Sequence, residues 1–474
     1  MSAGRQEEAG AAAGHAVRPN WWVLAAVAIG GFMSALDASV VNTVLPVLAH
    51  AFGAGVDAIE WVVTVYLLVV SGLLLSMGRL GDIGGHRRVF LLGFVIFGVG
   101  SGLCGLAPAE WCLVAARGVQ AVGAAMLFAG GPALLTRSFP ARMRGQALGL
   151  LAGAVYLGLS AGPSLGGWIA VHLGWRWVFY VNVPVGVAAI MVTMRFVPPE
   201  RVEGRREPFD LGGAALFLLG LVALLLALNQ GHAWGWGSAE VVGLFALGGA
   251  LLVGFVALEL RARHPVMDLR LFRSVTFSAA SASALLNYVA GYCIVFLLPF
   301  YLMRGRGLPP DRAGLVLSAQ PLVMAVAAPL SGRLSDRIGT RIPATIGMVV
   351  LAGGLAMLSR IGAGTPMGQV AAWLGVAGLG AGLFSSPNNS AIMGAAPRER
   401  QGIAAGVLAT VRNVGMVLGV GMAGAILTSG LAGASPGEGT ALFDAVRTSL
   451  LAAAGVALVG AATSAIRESG PLQG

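Results

Sequence analysis

Apolar runs long enough to cross a lipid bilayer recur along the whole chain, separated by short polar breaks. About 20 apolar residues cross the hydrocarbon core as a helix. Segments of that length begin near Trp21, Ala58, Val89, Glu110, Gln146 and Trp177, then near Leu211 and Val241, and finally near Phe277, Ala313, Ile342, Val370, Gly402 and Ser449. The pattern predicts fourteen membrane-spanning helices and leaves no stretch long enough for a soluble catalytic domain. Residues 1–20 are small and polar and lack the apolar core and cleavage-like end of a signal peptide, so they read as a tail.

Two of the polar breaks are copies of each other. GRLGDIGGHRR at Gly78–Arg88 returns as GRLSDRIGTR at Gly332–Arg341. Each copy is wedged between apolar segments, after helices 2 and 10, so two homologous halves are joined in one chain. Eight helices separate the copies where six would suffice. The pair Leu211–Leu228 and Val241–Leu260 is therefore an insertion between two six-helix bundles. This gives an all-α integral membrane fold: a tail (1–20), an N-terminal bundle (21–197), a linker with two extra helices (198–273), a C-terminal bundle (274–466) and a second tail (467–474).

Composition sharpens this picture. Of 474 residues, 57% are hydrophobic and 11% charged, with a mean hydropathy of +0.82. Soluble domains carry about 25% charged residues. The net charge of +10 comes with no lysine at all. Its arginines gather in short loops, which argues for helix orientation and against nucleic-acid binding. Arg79, Arg87 and Arg88 follow helix 2, Arg137, Arg142 and Arg144 helix 4, and Arg201, Arg205 and Arg206 helix 6. Later even-numbered exits repeat the pattern, which places them and both termini in the cytoplasm. One loop disagrees, with Arg304, Arg306 and Arg312 on the opposite side. Cys104, Cys112 and Cys293 match no metal spacing. Cys104 and Cys112 flank a hairpin and read as packing thiols, with a disulfide as the alternative.

Candidate chemistry lies in a few polar residues within the spans. Asp37 sits about 24 Å beyond the start of helix 1. A carboxyl at that depth costs at least ~2.5 kcal/mol and persists only with a partner, water or a proton. It can load and release a proton as access alternates. Alternatively it is a structural acid bonded to Ser34, one turn away. Arg117 and Gln120 share a face of helix 4. Arg117 either holds Asp37 ionised and helps drive its proton off, or braces helix contacts. In helix 5, GLSAGPSLGG places Gly158, Gly162, Gly166 and Gly167 for close helix packing and Pro163 for a bend. In the second half, Gly415 and Gly419 match Gly158 and Gly162, but Val420 stands opposite Pro163. Asp82 and Asp336, in the repeated loops with Gly78, Arg79, Arg87, Gly332, Arg333 and Arg337, can cap a helix start or pair with an arginine across the bundle interface. The second copy, which keeps Arg337 where the first has Ile83, is expected to form the more complete latch.

These motifs resemble those of the major facilitator superfamily, and the whole chain is similar to its fourteen-helix drug:proton antiporters. The repeated loops look like the superfamily's cytoplasmic gating loops. RGVQAVG resembles its helix-4 motif, in which the arginine is tied to proton transfer, with Ala121 replacing a glycine. GPSLGG looks like the motif that marks exporters. EWVVTVYLL, WRWVFYVNVPVG, FDLGG and SPNNSAIM extend the similarity, with Glu60 as a departure. The resemblance implies a proton-coupled multidrug or antibiotic exporter of the bacterial inner membrane, working by alternating access. Asp37 and Arg117 carry proton coupling, and Asn42, Tyr66, Gln120, Asn287, Asn388 and Arg412 are the candidates for substrate contact. Its partners are the lipid bilayer, protons and a small lipophilic substrate, cations included. The proton gradient drives it without a cofactor or metal, and it works as a monomer. A proton-coupled uptake symporter is the transport alternative, opposed by GPSLGG. A membrane sensor or scaffold has no use for a lone buried acid facing a buried arginine. An enzyme lacks any metal, nucleophile or nucleotide-binding constellation.

Overall fold

A computed structural model of the chain describes residues 19–200, 208–431 and 439–467. Fourteen helices in it are long and apolar enough to cross a membrane. They are α1 (Trp21–Phe52), α2 (Val56–Gly84), α3 (His86–Leu106), α4 (Glu110–Ser138), α5 (Arg144–His172), α6 (Arg176–Phe196), α7 (Leu211–Trp234) and α8 (Ala239–Glu259). There follow α9 (Val275–Pro299), α10 (Arg312–Ile338), α11 (Arg341–Leu358), α12 (Met367–Ala395), α13 (Gln401–Leu431) and α14 (Gly439–Ala465). Polar residues at their starts satisfy amide groups that a helix leaves free. The Asn20 side chain accepts from Trp22 and Val23, Asp210 from Gly213, Ser238 from Val241, and Ser274 from Phe277.

α1–α6 and α9–α14 pack in matching ways. α1 lies on α5 as α9 lies on α13, and α3 lies on α4 as α11 lies on α12. The two repeated loops turn alike, with Gly85 and Gly339 at φ 93° and 85° after α2 and α10. The inserted pair stays outside both bundles. α7 packs on α2 and reaches α13, and α8 packs chiefly on α7.

The sequence places the last helix start near Ser449, but α14 begins at Gly439. Asp444 and Arg447 interrupt its first turns and mask the apolar pattern there. The discordant arginine loop also has a local explanation. Arg306 donates to the Gly362 and Thr365 carbonyls at 3.2 and 2.7 Å and to the Tyr301 hydroxyl at 3.2 Å. It braces the turn after α11 and serves helix ends more than it serves topology. Glu60 is exposed, as a surface acid. All three cysteines are free thiols.

The bundles meet through two crossed helix pairs, α5 with α10 and α2 with α13. The first turns of α5 and α13 press on the last turns of α10 and α2. A methyl group at Gly402 would overlap the Gly78 carbonyl, and one at Gly332 would overlap the Gly145 carbonyl. Neither pair of backbones could approach this closely with side chains in place. Gly402→Ala is therefore expected to force this end apart. Overpacking costs about 1–3 kcal/mol, so the closed population relative to open should fall by about fivefold to a hundredfold. Distances between spin labels on α2 and α13 check this, and an unchanged distance distribution would refute it.

Candidate functional site

Asp37 lies near the middle of α1 and is 2% exposed. A carboxylate there needs donors, and three side chains on two neighbouring helices supply them. Arg117 of α4 gives one guanidinium N–H to Asp37 Oδ2 at 2.6 Å. Gln120, one turn further along α4, donates to Oδ1 at 2.9 Å. Asn182 of α6 donates to the same oxygen at 2.8 Å. Gln120 also accepts from Arg117 at 2.6 Å and donates to Ser101 of α3 at 2.6 Å. Arg117 Nε reaches the Val62 carbonyl of α2 at 3.3 Å, and its guanidinium lies over the Tyr66 ring at 4.1 Å. The i, i+3 spacing of Arg117 and Gln120 puts both on the face that meets α1, as the sequence predicts.

Ser34 takes no part, because its hydroxyl is buried without a hydrogen-bond partner. The reading of Asp37 as an acid tied to Ser34 fails on that geometry. Asn182 and Ser101 were not singled out from sequence. Asn182 lies inside the quoted stretch WRWVFYVNVPVG, but nothing in one chain marks it as facing α1.

The other candidates for substrate contact scatter. Tyr66 is 3% exposed, stacked under Arg117, and its hydroxyl has no partner. Arg412 of α13 crosses to the N-terminal bundle and lies over the Phe128 ring of α4 at 4.8 Å. Asn42 is exposed and takes no part in the Asp37 hydrogen bonds. The structure does not bring Asn287 or Asn388 to this group. Asn287 points at the Met348 sulfur, 3.3 Å away within the C-terminal bundle. Asn388 accepts from Arg467, which packs against α12 although the sequence assigns it to the tail.

Gly158, Gly162 and Gly166 form one stripe of α5 against α1, meeting Phe32 and Leu36, then Ser39, then Val40. Gly167 faces open space. Gly415 and Gly419 meet Leu285 and Val289 of α9 in the same manner, so packing by these glycines is common to both halves. α5 runs through Pro163, whose side chain lies outside the described residues.

At the end where the bundles touch, each repeated loop caps a helix of the other half. Asp82 accepts from the Gly402 and Ile403 amides of α13 at 2.9 and 3.0 Å. Asp336 accepts from Gly145 and Gln146 of α5 at 2.8 Å each. A carboxylate is favoured at a helix start, where free amides and the positive dipole end point outward. The first copy carries more contacts, which reverses the sequence expectation. Asp82 also lies 3.1 Å from His86 and 3.5 Å from Arg137, and the His86 amide donates to Glu200 at 2.5 Å. Arg337 is exposed and makes no ion pair among the described residues. It points to water, so its presence in the second copy adds nothing to the latch. Arg87 holds the Met194 carbonyl at 3.0 Å, Arg79 is buried beside α8, and Arg333 lies 3.2 Å from the Gln146 amide.

The sequence model of the Major Facilitator Superfamily matches residues 27–284 and 280–472. The chain is 36% identical over 406 residues to the riboflavin transporter RibZ of Clostridioides difficile, covering 85% of this chain and 87% of that one. It is 36% identical over 412 residues to the multidrug resistance protein Stp of Mycobacterium tuberculosis, covering 86% and 76%. The crystal structure of the human organic anion transporter MFSD10 superposes with a TM-score of 0.68 at 15% identity, over 94% of this chain and 100% of that one. At that identity the likeness is one of fold.

Two asparagines separate the buried cluster from its surroundings. Asn182→Ala removes a donor from a buried carboxylate and should lower stability by about 1–3 kcal/mol. Asn42→Ala, at an exposed position, should change it by less than ~0.5 kcal/mol. Thermal unfolding of the detergent-solubilised variants measures both, and equal losses would contradict the assignment.

Proposed function

Because the chain belongs to the major facilitator superfamily, we propose that it exports small lipophilic compounds, drugs or antibiotics, in exchange for protons across the bacterial plasma membrane. The observation that carries this reading is the buried Asp37–Arg117 pair, held between α1 and α4. The multidrug resistance relative supports the exporter direction, and the glycine stripe of α5 on α1 supports a sealed, tightly packed N-terminal bundle. Basic loops support cytoplasmic placement of the latched end and of both termini. With that end closed, the arrangement corresponds to the state that faces the outside.

In this cycle Asp37 accepts a proton from the outside, which weakens its hold on Arg117, Gln120 and Asn182. The unlatched protein then faces the cytoplasm, where Arg117 favours loss of the proton. Substrate moves the other way. One proton crossing ~100 mV releases about 2.3 kcal/mol, and each pH unit adds about 1.4 kcal/mol. Together these support a concentration ratio of about several hundredfold. No cofactor is required, and one chain contains both bundles and both latch halves, consistent with a working monomer.

A second reading, proton-coupled uptake, draws on the riboflavin transporter among the relatives. The direction of transport separates the two. In everted vesicles an imposed pH gradient should drive dye or drug accumulation by the wild type. Asp37→Asn should abolish that accumulation, and Arg117→Ala should reduce it at least ~tenfold, the scale of one lost charge-assisted bond. Wild-type accumulation by Asp37→Asn would remove the proton-coupling role, and net uptake by intact cells would favour the symporter.

A further inference from the structure

The interior of the protein holds positive charge that the proton-coupling pair does not account for: Arg467 is buried against the neutral Asn388, and Arg412 stands between the bundles. Asp37 and Arg117 neutralise each other at 2.6 Å. Arg412, about 16 Å along α13 from its basic end, has no such partner. Among the described residues no carboxylate forms an ion pair with it, and its Nε is buried without a hydrogen bond. Arginine stays charged at any physiological pH, and an uncompensated charge at this depth is costly enough to mark a functional group.

Aromatic rings surround it. Its guanidinium lies over Phe128 of α4 at 4.8 Å. Its charge also acts on the phenols of Tyr66 on α2, Tyr156 on α5, and Tyr288 and Tyr292 on α9. These six residues come from both bundles. Arg412, Tyr156, Tyr288 and Tyr292 are half-buried. A second orphan stands in the same group: the Tyr66 hydroxyl is buried with no hydrogen-bond partner. Two unsatisfied donors beside aromatic side chains define the complement they would bind: a flat ring with acceptor oxygens at its edge, one of them ionised.

We infer that Arg412, Tyr66 and the surrounding tyrosines form the binding site for a planar aromatic anion, a ring carboxylate or phenolate. This rests on the exporter reading and fixes the charge of its substrate. The anionic oxygen pairs with Arg412, an edge oxygen accepts from Tyr66, and the ring lies among Tyr156, Tyr288, Tyr292 and Phe128. A lipophilic cation, admitted by the sequence, meets repulsion from Arg412 with no acid to offset it. Tyr66 also carries Arg117 on its ring face, so a ligand bonded to its hydroxyl touches the proton-coupling pair through a single side chain.

The test is equilibrium binding of two xanthene dyes of similar frame and opposite charge, fluorescein and rhodamine 6G, to the full-length protein in nanodiscs, read by fluorescence polarisation. The wild type should bind fluorescein at least ~tenfold more tightly than rhodamine 6G, the scale of one charge-assisted bond. Arg412→Gln should erase or reverse that preference, Arg412→Lys should keep part of it, and Tyr66→Phe, which removes only the hydroxyl, should loosen fluorescein by about threefold to tenfold. Tighter rhodamine binding, equal fluorescein affinity in Arg412→Gln, or no saturable fluorescein binding would each overturn the assignment. The wild-type comparison stands even if a variant does not fold. No gradient is involved, so failure here with pH-driven export intact overturns the charge assignment alone. Anion preference without pH-driven export overturns the antiport reading alone.

Discussion

A carboxylate in the middle of a membrane helix cannot be left to itself, and the N-terminal bundle is organised around that constraint. Asp37 draws Arg117 and Gln120 from α4 and Asn182 from α6, and Gln120 in turn holds Ser101 of α3. Four helices are thereby fixed to one another by polar contacts, where lipid supplies no hydrophobic force to hold them together. Removing one member leaves its partners buried and unpaired, which costs more than the pair itself contributes. The proton offers the one inexpensive way to change the arrangement. In the proposed exchange it neutralises Asp37 without removing it, so the same contacts that hold the bundle would answer to protonation.

The boundary between the bundles obeys a different rule. There the backbones themselves touch, because glycines stand at both sides of each contact. Asp82 and Asp336 then cap helices of the opposite half. A cap of this kind depends on position: it forms only when the helix start arrives at the carboxylate, and no side chain need unfold to break it. Each half provides one carboxylate and one helix start, so the two contacts open or close together. His86, Arg137 and Glu200 surround Asp82 alone. The symmetric frame thus carries an asymmetric set of charges.

Much of this was legible in the sequence, for reasons that differ by feature. Span count and the inserted pair follow from apolar length and the repeat, which are one-dimensional properties. Asp37 and Arg117 were legible because charge within an apolar run is expensive and therefore informative, and Gln120 because it shares a helix face with Arg117. Asn182 was not, since an amide in a span carries less cost and its helix alone does not say which face meets α1. Asn287 and Asn388 are placed by contacts the sequence does not show: buried amides serve packing as readily as ligands, and here they meet Met348 and Arg467. The second latch looked fuller because Arg337 is present, yet that side chain points to solvent while His86 is wholly buried. Residue type set the expectation, and orientation decided the outcome.

Tyr66 is where the two themes meet. Its ring carries the Arg117 guanidinium, and its hydroxyl is buried without a hydrogen-bond partner. Arg117 belongs to the N-terminal bundle and Arg412 to the C-terminal one, so their separation changes whenever the bundles rock. With Asp37 ionised, Arg117 is neutralised, and among the described residues beside Tyr66 it is Arg412 that carries an unpaired positive charge. In the proposed cycle protonation frees Arg117, and a bound anion would then have a second cation to turn toward, on the ring face of the same tyrosine. An anion leaving the cell and a proton entering it move charge in the same sense across the membrane, so the membrane potential drives both halves of the exchange. Under the proposed assignment that follows from the sign of Arg412, and it would make the substrate's charge part of the energetics of transport as well as of its recognition.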